Sequence, residues 1–377
     1  MPLSGRQPVE SIPVRADVVV IGGGVSGLCA ALYLARGGAE VVLLEAGVVA
    51  GQGSSANAGT LALQNKRPPM LAYFIEGVEE WHRVAVGLAV DIGYGRPGGL
   101  QVAETDADLA ALENQAGHLR DHGIAVDWLE GSALAARAPW LASSVRAATE
   151  SGADGYADPL RAGQALAGAV EAAGGRILTH TPVMEAARRG AGYVLSVPGG
   201  TVACDSVVIA TGPWSAALGR MFGAELAVEP STIMLTATEP APAALDRVVT
   251  HIRGRLTVKQ TAAGGCLIGG GWYGRGDFTR RRRDIAYESL LHNLRLGCAV
   301  APFLADLRPV RHWAGYEART RHGRPLIGPV PGQGGLFALV PAAGGWTAAA
   351  LGGRLIAECV LTGRVPPLAE GLGPEAG

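Results

Sequence analysis

The sequence predicts an α/β fold in which a parallel-sheet domain is interleaved with an antiparallel, β-rich domain. Three observations carry that expectation. An apolar strand, a glycine turn, an apolar helix and a second apolar strand follow one another over residues 18–45. The same strand and helix grammar returns at 159–179, at 206–215 and at 335–361. Between these blocks, apolar runs alternate with Pro and Gly turns, the pattern of an antiparallel sheet.

The first block is the most specific. Val18-Val19-Val20-Ile21 reads as a buried strand, and Gly22, Gly24 and Gly27 follow it at G-x-G-x-x-G spacing. That spacing permits a tight turn, close backbone approach to a pyrophosphate, and close packing of the next helix on the strand. The helix expected from Ser26 to Arg36 points its first N–H groups, Val25 and Ser26 among them, at those phosphates. A second strand, Val41-Val42-Leu43-Leu44, delivers Glu45, where a carboxylate accepts both hydroxyls of an adenosine ribose and repels a 2′-phosphate. The block is therefore a Rossmann-like dinucleotide cradle, open at this point to either NAD or FAD.

Along the rest of the chain, Ala46 begins a small-residued loop that includes Gly53-Ser54-Ser55-Ala56-Asn57-Ala58-Gly59 and lets backbone pass close to a bulky ligand. Apolar positions at three- and four-residue steps predict a helix over 70–86, and Gly99–Ala103 reads as a strand. Thr105 or Asp106 caps a helix that Gly123 stops, and Pro159–Ala173 is a helix closed by Gly174-Gly175 before a strand at Arg176–Thr179. A hairpin pairs Tyr193–Val197 with Thr201–Cys204, and Ser206–Gly212 is a buried strand running into a glycine turn. Thr232–Ala237, Leu256–Gln260 and Cys266–Gly270 read as antiparallel strands, and Ile285–Val300 as a helix. The run Arg280-Arg281-Arg282-Arg283 reads as a solvated or subunit-facing loop, with a dedicated anion site as the alternative. Gly335–Val340 is a strand, and a helix from Trp346 to Leu361 opens directly after Gly344-Gly345.

Composition narrows the partners. The chain has 377 residues, a net charge of −1 and 17% charged residues, against roughly 25% in typical soluble domains. Nothing in this balance suggests nucleic acid, so small molecules or other subunits are the expected partners. The five cysteines are far apart and without a C-x-x-C pair, which argues for a reducing compartment and against a metal or iron–sulfur site in this chain. The first fifteen residues lack the apolar run of a secretory signal, and no stretch has the length of a membrane span, so a cytoplasmic location is expected.

With these pieces in place, the chain resembles the D-amino-acid oxidase-like family of FAD-dependent amine oxidoreductases over nearly its whole length. The loop Gly53-Ser54-Ser55-Ala56-Asn57-Ala58-Gly59-Thr60-Leu61 is similar to the one that family members lay along pyrophosphate and flavin. Thr181-Pro182-Val183 matches the adenine-facing segment, with Val183 as the contact, and Thr211-Gly212-Pro213-Trp214 matches the second flavin-side motif. Gly323–Pro329 and the helix start Gly344-Gly345-Trp346-Thr347 match the C-terminal flavin motif. The resemblance implies FAD rather than NAD. It also implies an FAD-binding domain over 1–85, 146–220 and 318–377, and a substrate domain over 86–145 and 221–317. A helix start at 344–346 is suited to stabilising negative charge on a flavin's pyrimidine edge, with an ordinary helix cap as the alternative.

The family reaction is hydride transfer from the amine-bearing carbon to the flavin, so orientation matters more than a side-chain acid or base. No nucleophilic triad or metal cluster stands out, and His251, His312 and His322 read as structural or solvated. The informative departure is Glu317, which stands where glycine oxidase-like and D-amino-acid oxidase-like members carry a carboxylate-binding arginine. An acceptor cannot replace a fork of N–H donors. Glu317 is thus expected either to meet a cationic part of the substrate or to pair with Arg319 or Arg311. The Ser-Ser-Ala-Asn-Ala-Gly loop and Val258-Lys259-Gln260-Thr261 look most like flavin-bearing β subunits of opine and hydroxyproline dehydrogenases. Those work with α and γ subunits that carry an iron–sulfur centre or a second flavin, on secondary amines. Lys259 is expected to face either the flavin or solvent. Tyr273, Trp346, Trp272 and Tyr94 are candidate walls of the substrate pocket or ordinary core residues.

Overall fold

Arg15–Ile21 forms a strand because its apolar residues are needed on both faces. In the computed structural model, which describes residues 12, 14–342 and 344–375, Val18 and Val20 enter one core and Val19 and Ile21 another. Residues 1–11, the start of the expected first domain segment, lie outside the described residues. Val41–Leu44 pairs with the first strand in parallel, Val18 opposite Val41 and Ile21 opposite Leu44, and splits in the same way: Val41 and Leu43 to one side, Val42 and Leu44 to the other.

The first sheet orders its strands Leu326–Pro329, Leu336–Val340, Gly200–Ile209, Arg15–Ile21, Val41–Leu44 and Arg176–Leu178. Helices Val25–Arg36, Leu71–Gly87, Pro159–Ala172 and Gly345–Thr362 contribute to the core on one face. A short antiparallel extension, Glu185–Arg189 and Gly192–Val197, contributes to the other. The expected hairpin is present, Tyr193 opposite Cys204 and Ser196 opposite Thr201, and its second strand runs on without a break. Thr201–Cys204 and Ser206–Ile209 are a single strand, Gly200–Ile209, pairing antiparallel with Gly192–Val197 along its first half and parallel with Leu336–Val340 at its end. Asp205 lets it continue because its exposed carboxylate accepts two hydrogen bonds from Arg15 at 2.8 Å.

The second sheet orders Pro309–Thr320, Val228–Pro240, Gly265–Gly269, Thr257–Gln260, Val248–His251, Gly99–Ala103, Ala147–Ser151 and Asp127–Glu130. All its pairings are antiparallel except Val248–His251 with Gly99–Ala103. The twelve-residue strand Pro309–Thr320 carries no alternation in sequence because it is an edge strand, and its register on Val228–Pro240 runs from Val228 opposite Thr320 to Ala237 opposite Arg311. It crosses the boundary expected at 317/318. The basic run is also corrected: Arg282–Asp284 pairs with Arg275–Asp277 as a small hairpin, so the following helix starts at Tyr287.

Candidate active site

The carboxyl ends of the parallel strands open on one cavity of about 380 Å³, inside the range of roughly 300–1,000 Å³ typical of small-molecule sites. The backbone builds its floor. Gly22 N–H donates to Leu44 O at 2.8 Å and Ala210 N–H to Ile21 O at 2.8 Å, which ties three strand ends together. Gly22 has φ +110°, and a Cβ there would sit 2.6 Å from Ala210 O. A Cβ on Gly27 would collide with the Gly22 carbonyl, so Gly27 serves helix packing and does not line the cavity.

At one end Glu45 accepts hydrogen bonds from Gly23 N–H and Gly47 N–H, each 2.7 Å, and lines the cavity together with Ala46 and Val183. Gly24, Val25, Ser26, Gly53, Ser54 and Asn57 form the middle, where Val25 N–H donates to Ser54 Oγ at 2.9 Å. Thr211, Gly212 and Trp214 close one side, and Tyr316 packs edge-on against Trp214 with ring centroids 5.0 Å apart. Gly345 and Trp346 stand at the far end, anchored by Trp81, which stacks on Trp346 at 5.1 Å and donates its indole N–H to Trp346 O at 2.8 Å. Ser55, Ala58, Gly59, Thr60, Leu61, Gly344 and Thr347 support this lining from behind: Asn57 Oδ1 accepts from Gly59 N–H at 2.8 Å, and Thr60 pairs with Tyr156.

Glu317 lines the cavity, and burial raises its carboxyl above the usual range, with Arg319 and Lys66 pulling the other way. Sequence reasoning did not find Lys66. Its ammonium lies 4.8 Å from the Phe74 ring centroid, beside Gly344, and burial lowers its pKa to about 8 despite the attraction of Asp154 and Glu317. No signal in Gln64-Asn65-Lys66-Arg67 marks a lysine that a distant helix start will cover.

Several candidates lie elsewhere. Lys259 neither lines the cavity nor faces solvent; it is buried with its ammonium 4.7 Å from the Tyr156 ring centroid, and burial lowers its pKa to about 8. Tyr273 is exposed, under the guanidinium of Arg319 at 5.4 Å. Trp272 donates to Arg255 O at 2.6 Å and stacks on His292, and Tyr94 packs near His82, so neither is a wall of this cavity. His251 is buried against Glu104 and His312 bonds Thr236.

The residues fit a flavin dinucleotide. Two buried polar atoms of the lining residues, the Tyr316 hydroxyl and Trp346 Nε1, have no partner among the described residues, nor does Thr60 Oγ1 behind them. Buried orphans of this kind call for a polar ligand. The glycine turn, where a Cβ on Gly24 would crowd Ser54 Oγ at 3.3 Å, suits the close backbone approach of a dinucleotide, and the head of Gly345–Thr362 suits negative charge on a ring.

Comparison with known proteins agrees. Residues 17–359 match the family model described as FAD dependent oxidoreductase. Glycine oxidase of Geobacillus kaustophilus is 30% identical over 334 residues, covering 86% of each chain. An opine oxidase subunit of Agrobacterium tumefaciens is 25% identical over 362 residues, 93% of this chain and 95% of the other. The crystal structure of glycine oxidase from Geobacillus kaustophilus superposes with a TM-score of 0.88 at 26% identity, covering 97% of this chain and 100% of that one. The cradle, the flavin-side segments and these matches together make this chain a member of the D-amino-acid oxidase-like family of FAD-dependent oxidoreductases.

Proposed function

We propose that this FAD-dependent amine oxidoreductase acts on a secondary or D-configured amine, such as an opine, imino acid or amino acid, as the flavin subunit of a heteromeric dehydrogenase in the cytoplasm. The observation that carries the reading is a half-buried carboxylate, Glu317, in the cavity. It favours a substrate with a cationic group beyond the amine being oxidised. Bound FAD supplies the hydride acceptor. Glu45 and the glycine turn hold its adenosine end, Trp346 and Gly345 border its ring, and Glu317 orients the substrate, while Lys66 balances the carboxylate's charge. The similarity to an opine oxidase subunit supports a heteromer. Among the described residues no helix is long and apolar enough to cross a membrane.

Two measurements decide between this and the other readings. Anaerobic bleaching of the flavin by candidate amines is expected; a chain that only carries electrons would show none. Little peroxide should form on re-exposure to air. Stoichiometric peroxide would instead support a free-standing glycine or sarcosine-type oxidase, the reading favoured by the 30% identity to glycine oxidase. Glu317→Gln should weaken a guanidinium-bearing or dicationic amine about tenfold more than a simple one, the scale of one charge-assisted hydrogen bond. Equal losses would sink the assignment. Because the carboxyl is raised by burial and must be ionised to bind a cation, kcat/KM for that substrate should rise with pH through an acid limb above the ordinary carboxylate range. The variant should lose that limb.

A further inference from the structure

Among the described residues the cavity lining carries three charged side chains: the carboxylates of Glu45 and Glu317, and the guanidinium of Arg281. A dinucleotide brings a doubly negative pyrophosphate into this space. The turn that would receive it has already committed two of its N–H groups, Gly23 to the Glu45 carboxylate and Val25 to Ser54 Oγ. Helix Val25–Arg36 also has no basic residue in its first turn. The cradle therefore opposes two negative charges with few free donors and, apart from Arg281, no side-chain cation.

Arg281 comes from a separate two-stranded hairpin. It sits at the tip of the hairpin formed by Arg275–Asp277 and Arg282–Asp284, in a left-handed conformation with φ +52°. Its neighbours are engaged. Arg280 lies 3.8 Å from Asp277, Arg282 lies 2.8 Å from Asp284, and Arg283 sits over the Tyr316 ring at 4.9 Å. Among the described residues Arg281 has no ion-pair partner.

The tip is seated by aromatic contacts that fix which end of the cavity it serves. Phe278 packs on Tyr316 with ring centroids 5.0 Å apart, and Tyr316 packs on Trp214 at 5.0 Å. Trp214 follows Thr211 and Gly212, and the Thr211 Cα is 3.1 Å from where a Cβ on Gly22 would lie. Both Tyr316 and Glu317 line the cavity, but Tyr316 does so against Trp214, beside the glycine turn, whereas Glu317 stands in the field of Lys66.

We propose that Arg281 reaches into the cavity from the hairpin tip and pairs with the pyrophosphate of bound FAD, so that the hairpin clasps the cofactor against the parallel sheet. A planar fork of N–H donors matches two phosphate oxygens. The clasp serves cofactor retention, not the oxidation step.

The test uses the full chain, stripped of flavin and titrated with FAD, with ADP as a probe of the same half-site and with riboflavin, which has no phosphate. Arg281→Gln should weaken FAD and ADP about tenfold and leave riboflavin unchanged. It should also flatten the salt dependence of FAD binding, and Arg281→Lys should recover part of the loss. FAD and ADP affinities equal to wild type would overturn the proposal. So would unchanged FAD affinity with a raised KM confined to carboxylate-bearing amines, an outcome that would give Arg281 to the substrate. Arg281 is exposed on a hairpin tip, so an unaltered melting temperature of the stripped protein is expected. These binding outcomes do not depend on which amine is oxidised.

Discussion

Lys259 is a buried ammonium on a strand of the second sheet, and its cost to the fold can be read from its titration. Burial lowers its pKa from 10.5 to about 8, a difference of about 3 kcal/mol between charged and neutral forms. A cation–π contact with Tyr156, worth about 1 kcal/mol, offsets part of it. Between pH 8 and 10.5 the unfolded chain binds more protons than the folded one, so stability rises with pH across that window. Lys259→Met should accordingly stabilise by about 1–2 kcal/mol at pH 7 in urea unfolding. The gain should fade as the pH approaches 10. A gain that grows with pH would contradict the burial argument. The residues of the site differ in how visible they are in sequence. Glu317 stands out because a carboxylate occupies a motif position. Lys66, Arg281 and Tyr316 do not, because each becomes part of the site only when Phe74, the 278–281 hairpin tip or Trp214 folds against it.

Helices were legible where caps and periodicity coincide. Thr105 Oγ1 accepts from Asp108 N–H at 3.2 Å while the Asp108 carboxylate accepts from Thr105 N–H at 3.0 Å and takes Arg253 at 2.8 Å, a reciprocal box that starts the helix Asp106–Asp121. Thr105→Ala should cost about 1 kcal/mol. Burial alone would raise the Asp108 pKa, but Arg253 and the bonds from Thr105 and Glu104 outweigh it and hold it down at about 2. Its contribution is therefore present above the ordinary carboxylate pKa and is lost as pH falls from about 4 toward 2. Asp108→Ala should cost about 2 kcal/mol at pH 7 and much less at pH 2.5, measured by urea unfolding at both. Edge strands were less legible. Pro309–Thr320 places Arg311, His312, Glu317 and Arg319 among its apolar residues, and only its pairing partner Val228–Pro240 makes it a strand.

Across the whole molecule, the cofactor end of the fold depends on contacts between chain ends. Gly353, in the last long helix, faces Cys29 and Ala30 in the first, and a Cβ there would lie 2.7 Å from Ala30 N and from the Cys29 carbonyl carbon. Backbone cannot yield as a side chain can. Gly353→Val should therefore destabilise by about 3 kcal/mol and lower the melting temperature, and it should speed FAD release, because the helix carrying Trp346 and the helix following the glycine turn would be pushed apart. Normal FAD retention in a destabilised variant would show that the two ends of the cavity are positioned independently. The sequence by itself determined the parallel-sheet cradle and the helices, since glycine spacing, caps and apolar periodicity are local properties of the chain; FAD rather than NAD came from the family resemblance of its later segments. Only the tertiary structure decided that Arg281 joins Glu317 in the lining of one cavity, that Lys66 sets the field on Glu317 from behind, and that Lys259 and Tyr273 stay out of it. Which charges share a cavity depends on how two sheets pack, and residues that meet there are separated by more than two hundred positions in the chain.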